Sequence, residues 1–157
     1  VVLANGDHAE LRHALMYRAL DLAAGDSTRD WSADELKVYA PARARAAAAA
    51  RAIDSARVRG TRPALPLAAY AGTYADPDSL YGRVTIALEG GRLVARGSGS
   101  WVGDLEHWHY ETFRARWRDH VLGRSMLTFA LDAAGKPASV DVEGFTRFVR
   151  VPPPPTP

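Results

Sequence analysis

The segment LEHWHYETF, residues 105 to 113, sets His107 and His109 two apart among aromatic side chains. On an extended strand residues i and i+2 point to the same face, so both imidazoles could reach one metal ion. A zinc centre takes three or four ligands. Asp104, Glu106 and Glu111 fall on the opposite face or at the strand ends, and His120 has no assignable place, so no third ligand is indicated. The other reading is a structural wall, with Leu105, His107 and His109 on one face, Glu106, Trp108 and Tyr110 on the other, and the ring nitrogens hydrogen-bonded to neighbours. Ligand counting favours the wall, and no metal is assigned.

Nucleophilic chemistry has less support. No serine is followed three residues later by Lys, and no Gly-x-Ser-x-Gly is present. GSGS at 97 to 100 resembles a phosphate loop only in composition. No Gly-Lys-Ser/Thr follows it, so it reads as a flexible hairpin tip. Arg114, Arg116 and Arg118 alternate along FRARWRD and could meet an anion, although a solvated strand face with acidic partners across the sheet is the commoner meaning. No catalytic residue is assigned.

The remaining candidates are aromatic. Trp101, Trp108, Tyr110, Phe113, Trp117, Phe129, Phe145 and Phe148 crowd the second half of the chain. As the lining of a barrel they would give a ligand calyx whose candidate contacts are Trp101, His107, His109, Phe113, Trp117 and Phe129. Small barrels are more often filled by their own side chains, and both readings stand at this point.

These residues must be positioned by a chain of 157 residues, 47% hydrophobic, which is enough for one ordinary domain or a small domain with an appendage. Arginine supplies all of the 20 basic residues except Lys37 and Lys136, but with 18 acidic residues the formal charge is only +2. That is not the field of a nucleic-acid binder. The absence of Cys excludes disulfides and Cys-based zinc sites. No apolar run reaches the roughly 18 residues of a membrane span. With neither an initiator Met nor a charged leader before the apolar start, Val1 reads as an interior point of a longer protein.

VVLANGD at 1 to 7 predicts a buried strand closed by an Asn-Gly turn. Residues 8 to 24 predict a helix capped by Asp7 and stopped by Gly25. Its Leu11, Leu15, Met16, Ala19, Leu20, Leu22 and Ala23 cover about half the circumference of a 3.6-residue wheel, so it should dock on a larger body, with Glu10, Tyr17, Arg18 and Asp21 toward water. Ser32 with Glu35 forms a capping signal ahead of an Ala/Arg-rich connecting helix at 42 to 59, and Gly60, Pro63 and Pro66 mark a boundary near 62. Beyond it, alternating segments predict eight strands at 71–75, 81–88, 91–97, 104–110, 112–117, 125–131, 137–142 and 145–150, joined by turns such as EGG and DAAGK. The expectation is a mainly β protein (α+β overall), a small eight-stranded antiparallel barrel preceded by a strand, a docking helix and a linker helix. PPPPTP closes the chain as an extended tail.

LPLAAYAGTYADPDSLYGRVTIALEGGRLVARG, then DLEHWHYETFRARWRD and VEGFTRFVRV, resemble the lipocalin-like C-terminal domain appended to serine β-lactamase-like hydrolases of the penicillin-binding-protein, class C β-lactamase and peptidase S12 type. VVLANGD and the helix after it are similar to the last strand and C-terminal helix of that catalytic fold. The resemblance implies a catalytic-domain remnant at 1–30, a helical linker at 31–62, a lipocalin-like barrel at 63–151 and a tail at 152–157. The resemblance implies that LEHWHY lies on a barrel strand and is not one of the family's catalytic motifs.

The family's hydrolysis uses Ser-x-x-Lys, Tyr-x-Asn or Ser-x-Asn, and Lys/His-x-Gly. None occurs here, since Asn5 has Leu3 at the required spacing and no Lys or His precedes Gly by two. The resemblance therefore implies a non-catalytic accessory region of a serine hydrolase, with a structural, assembly or active-site-covering role and no cofactor. The competing reading is a small-ligand or peptide binding module. The implied partner is the missing N-terminal catalytic part or another copy of the chain as a homo-oligomer, and the implied location is periplasmic or secreted.

Overall fold

A computed structural model describes residues 2–3, 9–78 and 80–152. The chain divides into two compact units, Val1–Ala56 and Arg57–Pro157.

The first unit contains α1 (Ala9–Ala23) and α2 (Trp31–Ser55). Gly25 ends α1 at φ +81°. Asp26 N–H donates to Asp21 O and Gly25 N–H to Leu22 O, a closure that needs the left-handed conformation glycine adopts without strain. The helix predicted over 42 to 59 begins earlier and ends earlier. Its N-cap is Asp30, not Ser32, because the Asp30 carboxylate accepts from Ala33 N–H at 3.0 Å. Pro41 lies inside α2 without ending it. The loop between the helices is tied by Tyr17 stacked on Trp31 at 4.5 Å, by Arg29 over the Trp31 ring, and by Trp31 Nε1–H donating to Asp21.

The packed side of α1 differs from the expectation. Tyr17, Arg18 and Asp21 are half-buried, whereas Leu11, Leu15, Leu20 and Leu22 are half or more exposed. The aromatic and hydrogen-bonding groups make the contacts to the start of α2, so the apolar stripe is left over. Of the strand predicted at 1 to 6, Val2 and Leu3 are in no regular element. The rest of it, the Asp7 cap and residues 153–157 of the proline tail lie outside the described residues.

In the second unit a short helix, α3 (Leu67–Tyr70), precedes eight strands: β1 (Gly72–Ala75), β2 (Arg83–Glu89), β3 (Arg92–Arg96), β4 (Val102–His109), β5 (Thr112–Trp117), β6 (Arg124–Leu131), β7 (Pro137–Val142) and β8 (Arg147–Val151). Every neighbour is antiparallel, and β8 returns to pair with β1, closing the barrel. Closure removes the exposed edges an open sheet would carry. Alternation sends Val84 and Ile86, Leu93 and Ala95, Phe113, Ala115 and Trp117, and Leu127 and Phe129 inward.

The interior is filled by these side chains. At one end Tyr70 from α3 meets Phe113 and Phe129 edge-on at 5.4 and 4.9 Å. At the other end Trp101 packs against Phe145 at 4.4 Å, and Tyr81 and Trp117 complete the group. Gly103 is required by this packing, because a Cβ there would stand 2.8 Å from the Trp117 ring. Trp117 Nε1–H in turn donates to Ser125 Oγ at 3.1 Å, so its buried polar atom is satisfied.

Candidate functional site

The β4–β5 hairpin gathers most of the chain's polar chemistry, and its geometry depends on one irregularity. Leu105 pairs with Ala115 and His107 with Phe113, both inward partners. The register then shifts, and His109 pairs with Thr112. Thr112 Oγ1 lies 3.1 Å from Oγ1 of exposed Thr128, which places Thr112 and its partner His109 on the outer side. The shared face predicted for His107 and His109 is therefore corrected. The bulge at Trp108 reverses the alternation, as an extra residue in a strand does. No group of three or more His, Cys, Asp or Glu able to hold a metal exists among the described residues.

Each imidazole has a defined partner. His107 Nε2 is 2.9 Å from Tyr110 O, and because a carbonyl only accepts, Nε2 carries the proton. His109 Nδ1 accepts from Val58 N–H at 3.2 Å. Tyr110 holds φ +45°, an uncommon conformation for a bulky side chain, in the two-residue connection to β5. Of the other predicted lining residues, Phe113, Trp117 and Phe129 lie in the core, and Trp101 is half-buried at the opposite end of the barrel from His107.

The segment just before the barrel fastens onto this hairpin. Arg57 donates from Nε to Trp108 O and from Nη2 to His107 O, each at 2.9 Å. Its guanidinium lies 4.5 Å from the Trp108 ring centre, and Arg114 lies 4.4 Å from the same ring. Trp108 is thus buried on the outer surface between two cations, an arrangement favoured by the ring's negative face. Tyr110 N–H donates to Thr61 Oγ1 and Ala64 N–H to Glu111 Oε1. The other Glu111 oxygen accepts from Tyr70 Oη–H, whose pKa is pushed up to about 12 by burial and by this bond. Arg150 closes the same end, donating to Ala69 O and Ala71 O at the C-terminal end of α3.

Glu106 neutralises the outer face. It bonds Arg114 at 2.9 Å and Arg116 at 3.1 Å, with Arg57 at 3.9 Å. The Arg114 hydrogen bond holds its carboxyl below the usual value. Asp104 is likewise lowered by Arg118, which it pairs at 2.8 Å.

Beside this network is a cleft of about 500 Å³ at the start of β3, where β4 runs on past Leu105 paired only with β5. Leu67, Leu93, Leu105 and Phe113 form its apolar wall, and Arg92, Arg116, Asp104, Glu106 and His107 its polar one. Arg57, Tyr70 and Arg92 were not singled out from the sequence, and Glu111 was weighed there only as a metal ligand. The partners of Arg57 and Tyr70 lie 51 and 41 residues away, so no local spacing marks them.

The family model of the domain of unknown function DUF3471 matches residues 56–151. The chain belongs to the DUF3471 family. DUF3471 is a C-terminal domain of β-lactamase and penicillin-binding-protein-type proteins. No curated protein matches the chain.

The solved structures similar to this DUF3471 chain include the C-terminal domain of penicillin binding protein Rv0907, at 23% identity and TM-score 0.48, covering 57% of this chain and 88% of that one. SurE with D-Leu is similar at 22% identity and TM-score 0.49, over 60% of this chain and 22% of SurE. The barrel assignment rests on the strand pairing itself.

Proposed function

We propose that this chain is a non-catalytic accessory region of a serine β-lactamase-like protein, with a structural and assembly role. The observation that carries this reading is the uncovered apolar stripe of α1. Leu11 and Leu20 are 56% and 60% exposed, while Ala14, Tyr17, Arg18 and Asp21 are more buried positions of the same helix. An apolar helix face of this kind marks a surface that another body covers. The catalytic part of the same protein is that body in this reading. Membership in DUF3471 supports it, as does the absence from the sequence of Ser-x-x-Lys, Tyr-x-Asn and Lys/His-x-Gly.

The filled barrel end at Tyr70, Phe113 and Phe129 favours a solid structural module over a central calyx.

The test is turnover of nitrocefin and of p-nitrophenyl acetate, with intact mass after incubation, by the chain alone and by the chain mixed with the polypeptide encoded upstream of Val1. The expected result is no acyl adduct on this chain and turnover only with the upstream polypeptide present. An acyl adduct on this chain, or turnover by it alone, overturns the reading.

A further inference from the structure

The cleft between the start of β3 and the last residues of β4 has an apolar wall and four charged side chains, Arg92, Arg116, Asp104 and Glu106, whose formal charges balance. Leu93 and Phe113 are each 1% exposed, and with Leu67 and Leu105 they meet the cleft from the core side. Its volume of about 500 Å³ falls in the range of roughly 300–1,000 Å³ that holds small organic ligands.

The charges divide unevenly. Asp104 is committed to Arg118 through both carboxylate oxygens. Glu106 is shared by Arg114 and Arg116. Arg92 pairs across the hairpin with Glu89, yet Glu89 gives both oxygens to Arg96, at 3.1 and 2.9 Å. Among the described residues Arg92 makes no hydrogen bond or close ion pair, and its charge reaches Asp104 only at longer range. His107 lines the same cleft, and in the tautomer whose Nε2–H donates to Tyr110 O the acceptor is Nδ1.

We propose that this cleft binds the carboxylate end of an apolar chain. The carboxylate pairs with Arg92, beside the second cation Arg116, and the apolar group lies against Leu67, Leu93, Leu105 and Phe113. Guanidinium and carboxylate match as planar, two-pronged partners, and the ligand's apolar group gains by leaving water. An N-acyl amino acid or peptide terminus would also donate an amide N–H to His107 Nδ1, which a fatty acid cannot do. This site is independent of the accessory role and stands whether or not α1 docks on a catalytic domain.

The test is an amide-resonance titration of the full chain with three probes: N-acetyl-Ala-Leu as the free acid, the same dipeptide as its C-terminal amide, and octanoate. The expected result is saturable shifts at Leu93, Leu105 and His107 with at least one free acid. Its affinity should exceed that of the amide by about tenfold, the scale of one charge-assisted hydrogen bond. Arg92→Gln removes that preference without unfolding the barrel, since Arg92 is exposed. Tighter binding of the dipeptide than of octanoate identifies a peptide or acyl amino acid as the source, and the reverse order a fatty acid. No saturable shift with either acid at millimolar concentration overturns the proposal, as does an acid-over-amide preference that survives Arg92→Gln.

Discussion

Tyr70 shows how one buried side chain joins the helix plug to the hairpin. Its ring lies among Phe113 and Phe129, while its hydroxyl donates to Glu111 and accepts from Leu65 N–H. Burial and the Glu111 carboxylate favour the neutral phenol, raising its pKa from 10.0 to about 12. The folded chain therefore holds this proton where the unfolded chain has released it. The contribution is fully present below the ordinary tyrosine value and is lost as pH rises from 10 through about 12. In absorbance titration at 295 nm we expect a tyrosine that ionises near 12 and that disappears in Tyr70→Phe. The variant should also flatten the loss of stability in denaturant melts between pH 10 and 12. An unchanged titration curve would remove Tyr70 from this role.

At the scale of elements, the strap from Arg57 to Ala64 and the β4–β5 hairpin form one unit of packing. β4 continues past its pairing with β3, which leaves the β3 side of its last residues without a neighbouring strand. Arg57 supplies donors to two of them and covers Trp108 from outside. A guanidinium bonded to two carbonyls and stacked on an aromatic ring contributes about 1–3 kcal/mol. Arg57→Ala is therefore expected to lower the melting temperature by several degrees and to expose Trp108, seen as a red shift in tryptophan emission. Arg57→Lys should recover little, because an ammonium cannot stack flat while bonding both carbonyls. Full recovery by Lys would mean that charge alone matters at this position.

For the whole molecule, the two compact units differ in what holds them together. The barrel closes on itself and buries a continuous core, whereas among the described residues of the helical unit α1 buries Ala14 and α2 buries none. A pair of helices with so little buried apolar surface lacks the main stabilising term of folding. Residues 57–152 expressed alone should melt cooperatively with near-UV dichroism from the packed tryptophans. Residues 1–56 alone should show weak, non-cooperative helicity by far-UV dichroism. A cooperative melt of 1–56 would show that the helices are self-sufficient and weaken the docking reading.

What the sequence by itself determined is the part governed by local rules. Alternation and turn residues marked all eight strands within two residues at most boundaries, since β patterning and hairpin chemistry operate over neighbours. Missing catalytic motifs could be read directly, because each is a short fixed spacing. The tertiary structure alone decided the rest. The bulge at Trp108 turned His109 away from His107, because register depends on how β5 pairs and not on β4's own pattern. The apolar stripe of α1 was legible, but which side of the helix its neighbour took was not. The cleft beside Arg92 exists because β3 begins at Arg92 while β4 continues past Leu105, and Arg92 lacks Glu89 because Glu89 turns to Arg96. Those are contacts between distant segments, and they form only once the barrel has closed.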